Sequence, residues 1–147
     1  MTTHKKSFNL ISQNIQRYHF TSQHHLSKYN KQHILFFQEL PKDCEALIRN
    51  FHQHSFHVNN SPYPRAAILL RNIPSMGTVI LKNFISDKLE SHLTGYLTDL
   101  VISWNDGKTL LLLINLYNTT GQQKAQLTIH SQLHQLIGEL LGHLAIK

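Results

Sequence analysis

Apolar positions along this chain fall into short continuous runs separated by longer stretches with a helical stripe, the pattern of strands mixed with helices. Phe8-Asn-Leu-Ile-Ser-Gln-Asn14 is a strand-like run ending in an amide pair. His33-Ile-Leu-Phe-Phe-Gln-Glu39 is a second run, rich in Ile, Leu and Phe, that reads as a strand buried on both faces and closed by Pro41. Ile15 to Lys31, between them, is polar, His-rich and spaced like a surface helix, with Thr21 or Ser22 as candidate N-cap. Helical spacing returns over Lys42 to Phe51, where Cys44, Leu47, Ile48 and Phe51 form one stripe. Phe56 and Val58 alternate as a strand, Asn59 to Pro64 is a turn-rich loop, and Arg65 to Arg71 is a strand. Thr78 to Lys82 pairs with it or runs on as the next one.

Ile85, Leu89 and Leu93 share a helical face that Gly95 interrupts. Leu97 to Trp104 and Thr109 to Tyr117 then flank Asn105-Asp-Gly-Lys108. Asp-Gly supplies the positive φ of a tight hairpin, so these strands form an antiparallel pair, the second apolar enough to be central. Gln122 to Leu144 reads as a long amphipathic helix with Leu133, Leu136, Ile137, Leu140, Leu141 and Leu144 on one broad face. Gly138 and Gly142 each weaken it by roughly 1 kcal/mol relative to Ala without forbidding it.

The order strand, helical spacer, strand places Asn14 and Glu39 at the same edge of a parallel sheet. Ligands collect outside the carboxyl ends of such strands, so Glu39 is a candidate metal ligand; the competing reading is a solvated carboxylate at a strand end. His52, His54 and His57 invite a zinc reading, but Cys44 is distant and no fourth ligand stands at a defined spacing. A structural or surface role is favoured for them.

Composition narrows the classes. The 147 residues have room for one domain, and 41% hydrophobic against 15% charged residues describes a globular chain. A single cysteine cannot make an internal disulfide. The amino terminus lacks the apolar core of a signal peptide, and no run reaches membrane-spanning length, so no membrane association is expected and the compartment is read as intracellular, cytoplasmic or nuclear. Fourteen Lys and Arg against eight Asp and Glu give a net charge of +6, which suits a polyanion such as DNA; the scattering of the basic residues leaves an unrelated origin open.

Four of these segments in this order resemble the opening of the endonuclease/exonuclease/phosphatase superfamily, and within it the endonuclease domain of non-LTR retrotransposons. They are the run ending at Asn14, the run ending at Glu39, the strand Arg65 to Arg71, and Leu110 to Tyr117 followed by Asn118-Thr-Thr-Gly121. The resemblance implies an α/β fold, with a mixed β-sheet and flanking helices forming part of that family's sandwich. It also implies a phosphodiesterase that acts on DNA with Mg²⁺ or Mn²⁺. Asn14 and Glu39 would then orient and hold the metal, and Tyr117 would contact the phosphate; without the resemblance, Tyr117 reads equally as a tyrosine capping a core strand.

The family's Asp-x-Asn pair after the tyrosine and its terminal His with an orienting Asp have no counterpart here. The nearest match, Glu139-Leu-Leu141, puts a leucine at the amide position, and His130, His134 and His143 have no Asp nearby. The expectation is therefore a single truncated, catalytically degenerate domain spanning 1–147, the alternative being a non-catalytic module that binds nucleic acid or self-associates. A sheet deprived of its partner sheet would expose an apolar face, and about 600 Å² of it would represent on the order of 15 kcal/mol at about 25 cal/mol per Å². The carboxyl-terminal helix, or a second copy forming a homodimer, is expected to cover it.

Overall fold

A computed structural model describes residues 8–15, 29–42, 44, 48–49, 51–104, 109–118 and 123–145, the last from 127 onwards with side chains. Both early strands form and lie side by side: β1 (Leu10–Asn14) runs parallel to β2 (Ile34–Gln38), with Asn14 opposite Gln38. The helical spacer expected between them falls largely on 16–28, outside the described residues. β2 pairs on its other side with β4 (Ala66–Arg71), which in turn pairs with β3 (His54–Val58), both antiparallel, giving a mixed sheet of order β1-β2-β4-β3. Ala66 to Leu70 is buried at every position, as a central strand covered on both faces must be.

The chain then leaves this sheet. A 3-10 turn at Pro74–Met76 and Gly77, at φ 85°, deliver it to a second sheet, in which β5 (Thr78–Lys82), β6 (Leu97–Trp104) and β7 (Thr109–Leu116) are antiparallel neighbours in that order. A Cβ at Gly77 would overlap the carbonyl oxygen of Ser103, so only glycine fits this crossing. β5 is thus the next strand and does not pair with β4. The antiparallel pair forms as expected, its turn over 105–108 lying outside the described residues, but β6 is the central strand and, among the described residues, β7 lies at the edge. Apolar runs report which faces of a strand are covered, not whether both of its hydrogen-bonding edges are occupied.

The sheets pack face to face through Ile34, Ile68 and Leu70 on one side and Leu100, Ile102 and Leu113 on the other, with Met76 at the margin. Leu35, Phe37, Ala67 and Leu69, on the opposite face of the first sheet, bury against Ile15, Leu40 and Phe51. The outer face of the second sheet is covered by α1 (Gln123–Ala145), whose Ile129, Leu136 and Leu140 meet Leu97 and Val101. The apolar face of the first sheet, expected to be covered by the carboxyl-terminal helix or a second copy, is therefore covered by the second sheet, and the helix adds a further layer. On α1, Leu141 is 57% exposed despite its place in the predicted stripe, because it lies 100° round the helix from the fully buried Leu140.

Ile85, Leu89 and Leu93 are all buried, but their segment makes 3-10 turns at Ser86–Lys88 and Thr94–Tyr96 and no α-helix. Asp99 explains the first of these: its carboxylate accepts the backbone N–H groups of Ile85 and Ser86 at 3.0 Å each, anchoring that turn to β6. Burial pushes this carboxyl above its usual range, against the opposing effect of those two N–H groups. Lys42 to Phe51 lies partly outside the described residues; within it the Ile48 N–H donates to the Cys44 carbonyl in a helical bond, and Cys44 and Phe51 join the core while Ile48 is 44% exposed.

His54 and His57 occupy structural positions on β3. The Nε2 of His54 is 2.7 Å from the carbonyl of Gln32, and the Nε2 of His57 is 2.8 Å from Ser55 Oγ. No cluster of three metal-ligating side chains occurs among the described residues. Burial, helped by nearby Lys82, pushes His57 down to about 4, and burial also lowers His54. A depressed imidazole is neutral in the fold but protonates in the unfolded chain below about 6.5, so stability is full above that pH and is lost as pH falls toward 4. Denaturant unfolding followed from pH 7 to pH 4 is expected to show a loss of about 3 kcal/mol attributable to His57. A His57→Gln variant should flatten that part of the profile.

Candidate functional site

The two sheets are joined at the carboxyl ends of β1, β2 and β7 by side chains buried between them. Asn115, 1% exposed on β7, donates through Nδ2 to the carbonyls of Phe37 at 3.1 Å and Ala67 at 2.8 Å, and its Oδ1 accepts from Gln38 Nε2 at 2.7 Å. Gln38 Nε2 also donates to Ser12 Oγ at 2.9 Å, so the amide network reaches β1. Nearby, the Thr98 hydroxyl donates to the Ala66 carbonyl at 2.7 Å and accepts the Asn59 backbone N–H at 3.0 Å. The pair Ala66-Ala67 keeps β4 slim enough for these approaches.

Above this belt, a backbone rim forms. The N–H of Glu39 donates to the Arg65 carbonyl, that of Arg65 to the Gly95 carbonyl, and that of Tyr117 to the Tyr96 carbonyl, each at 2.8 Å. Glu39, Arg65 and Tyr117, far apart in sequence, are thus held along one edge of the sandwich. The Arg65 guanidinium lies 5.9 Å from the centre of the Tyr117 ring, and the Tyr96 and Tyr117 rings are 6.3 Å apart. Arg65 Nε is buried and has no hydrogen-bond partner among the described residues.

Glu39 is half-buried and has φ 58°, the left-handed region that side chains other than glycine, asparagine and aspartate rarely adopt. Such a conformation costs about 1–3 kcal/mol and persists only when its surroundings impose it. Here the N–H bond to Arg65 and the burial of Leu40 on one side and Phe37 on the other impose it. Asn14 is exposed at the end of β1, one strand away, in register with Gln38. A cleft of about 90 Å³ beside the rim is lined by Leu40, Pro41, Lys42, Tyr63, Pro64 and Arg65. A cavity of about 350 Å³ lined by Ser55, Arg71 and Met76 among others lies at the other end of β4, away from these residues.

Solved structures share the fold of this chain. A truncated Caenorhabditis elegans TDP2 superposes with a TM-score of 0.64 at 17% identity, over 92% of this chain and 57% of that one. A second structure, TDP2 from C. elegans, gives 0.62 at 17% identity, over 92% of this chain and 44% of its own. The fold is of the endonuclease/exonuclease/phosphatase type. This chain spans 57% or less of the length of the structures that share that fold. No family model and no curated protein matches the sequence.

Within this fold type, the structure brings Glu39 and Tyr117 to one rim and sets Asn14 beside them on the neighbouring strand. Sequence reasoning singled out those three residues but passed over Arg65, Asn115 and Gln38. Arg65 had a legible signal, a cation at the start of an otherwise apolar run; Asn115 stood as the one amide inside Leu110 to Leu116. Glu39 and Asn14 stand at the ends of neighbouring strands, and no group of three metal-ligating His, Cys, Asp or Glu side chains occurs among the described residues.

Removing the Asn115 carboxamide leaves two buried carbonyls without their side-chain donor and takes one acceptor from Gln38. Asn115→Ala is expected to lower stability by about 2–4 kcal/mol in denaturant titrations. Glu39→Gly should instead stabilise the chain by about 1 kcal/mol by relieving the positive φ, whereas Glu39→Ala should not. Equal midpoints for the two variants would show that no strain is held there.

Proposed function

We propose that these residues form one side of a phosphodiester-binding site of the endonuclease/exonuclease/phosphatase kind, acting on DNA. The observation that supports it most is the gathering of Glu39, Arg65 and Tyr117 on one rim, where Arg65 Nε has no partner among the described residues. Arg65 as a whole is only partly buried, so the rest of its guanidinium, beside the Tyr117 ring, can offer donors to a phosphate oxygen. Glu39, with Asn14 beside it, would hold a divalent cation. Such a cation, when bound, supplies charge neutralisation to the phosphate. Lys42 and the 65%-exposed Tyr63, both lining the adjoining cleft, extend the cationic and aromatic surface, and the net charge of +6 favours a polyanion.

The structures that share the fold are of a 5′-tyrosyl DNA phosphodiesterase. The sequence order resembles retrotransposon endonucleases. Both activities break a DNA phosphodiester, and we infer descent from an enzyme of that class. Residues 118–147 contain no aspartate, so these residues alone supply neither the Asp-x-Asn pair nor an Asp to orient a histidine. The chain studied by itself is therefore read as a binder of phosphodiesters with little hydrolytic power, each missing acid–base role being worth about 10²- to 10⁴-fold in rate.

Fluorescence anisotropy with a labelled single-stranded oligonucleotide tests this reading. Affinity should fall steeply between 50 and 200 mM salt, by about tenfold or more. Arg65→Ala should weaken binding by about tenfold, and Glu39→Gln should abolish any gain from added Mg²⁺. Incubation with Mg²⁺ and the same oligonucleotide should give no more cleavage than a Glu39→Ala control. Absent or salt-insensitive binding would end the proposal.

A further inference from the structure

At the middle of the sandwich, large side chains fill the space between the sheets: Ile34, Ile68 and Leu70 from one, Leu100, Ile102 and Leu113 from the other. Side chains of this size hold packed sheets about 10 Å apart. On β3, at the flank, the positions paired with Leu70 and Ile68 are Ser55 and His57. Cross-strand partners point to the same face, so a serine stands in the layer that leucine and isoleucine fill elsewhere. Val79 of β5 lines the same place from the second sheet. A serine and a valine are too short to meet across that spacing, and the layer stays unfilled there.

The cavity of about 350 Å³ at this end of β4 is the result, bounded by Ser55, Leu70, Asn72, Ile73, Met76 and Val79 among others. Small-molecule sites fall between about 300 and 1,000 Å³. All of its lining residues lie between positions 55 and 79, within one continuous described segment. Its walls are braced by the chain itself. The N–H groups of Asn72, Ile73 and Met76 donate to the carbonyls of Gln53, Arg71 and Ile73 at 2.8, 2.9 and 3.0 Å. The Trp104 indole N–H donates to the Ser75 carbonyl at 3.1 Å and ties the 3-10 turn to β6. Ser55 Oγ lies 2.8 Å from His57 Nε2 and 3.3 Å from the Leu70 carbonyl. Groups already fixed in this way lose little freedom when a ligand arrives.

We propose that this slot is a second binding site, for an uncharged planar nitrogen heterocycle of nucleobase size, such as a purine or its nucleoside. A gap between two sheets at fixed spacing admits a flat body. Leu70, Ile73, Met76 and Val79 supply apolar surface for its faces, and the Ser55 hydroxyl and Asn72 carboxamide each donate and accept at its edge. A carboxamide matches a neighbouring donor and acceptor on a ring edge, the pattern that nucleobases present. A hydrocarbon of the same shape would leave the hydroxyl and the carboxamide without partners, and a wholly polar ligand would leave the apolar walls uncovered. No aspartate or glutamate lines the slot. It lies at the opposite end of β4 from the Arg65 rim and does not rest on the phosphodiester reading.

Fluorescence anisotropy of 2-aminopurine riboside titrated with the full chain tests the assignment. Saturable binding of one probe per chain is expected, with a dissociation constant on the order of 100 μM for a ligand of this size. Because the probe is uncharged, raising salt from about 50 to 500 mM should leave its affinity within about twofold, unlike that of an oligonucleotide on the rim. Val79→Phe, which fills the slot with an aromatic ring, should abolish binding without lowering the unfolding midpoint. Ser55→Ala should weaken it about tenfold. Arg65→Ala, on the rim, should leave it unchanged. No saturable binding at about 2 mM probe, affinity indifferent to both Val79→Phe and Ser55→Ala, or binding lost in Arg65→Ala overturns the proposal. None of these results bears on oligonucleotide binding by the unaltered chain, so the phosphodiester reading stands or falls separately.

Discussion

The Asn115 carboxamide is the contact on which the arrangement depends. It lies in an apolar strand of one sheet and satisfies carbonyls on two strands of the other. Hydrophobic burial between the sheets is non-directional: Ile34, Ile68 and Leu70 could meet Leu100, Ile102 and Leu113 after a small slide at little cost. A buried amide with named partners cannot slide without leaving them unsatisfied. Thr98 on Ala66, Asn59 on Thr98 and Asn83 on the Val58 carbonyl extend the same restraint along the sandwich. This polar belt sets the register between the sheets, and so brings the ends of β2 and β7 to one edge.

The rim follows from that register. Glu39 is forced to a positive φ where β2 leaves the sheet, Arg65 enters β4 alongside it, and Tyr117 leaves β7 with its N–H on Tyr96. Each of these residues is the first or second outside a strand, where backbone direction is set by the sheet but side chains are no longer committed to the core. Strain at Glu39 and an unpartnered nitrogen on Arg65 on the same rim mark a place where the fold carries a cost that packing does not require.

The remaining layers show how a small domain buries apolar surface through stacking. The first sheet is covered by the second, and the second by α1, so the central strands β4 and β6 are covered on both faces. Asp99 belongs to this packing and not to the rim: its carboxylate is spent on two backbone N–H groups that would otherwise be buried without acceptors.

Much of this was legible in the sequence because it rests on local rules. Runs of Ile, Leu, Phe and Ala announced β2 and β4, Asp-Gly announced the hairpin, and leucine spacing announced α1. The strand–spacer–strand order was enough to place Asn14 and Glu39 at one end of adjacent parallel strands. Periodicity, however, records how each strand's faces are covered and is silent on which strand lies beside which. Hence β5 was not assigned to a second sheet, β7 passed for a central strand, and the helix or a second copy was expected on a face that another sheet covers. Arg65 and Asn115 acquire their meaning only across that interface, from residues some 50 positions away in the chain for Asn115 and Ala67. Contacts of that kind are fixed by how two sheets meet, and no pattern within either segment encodes them.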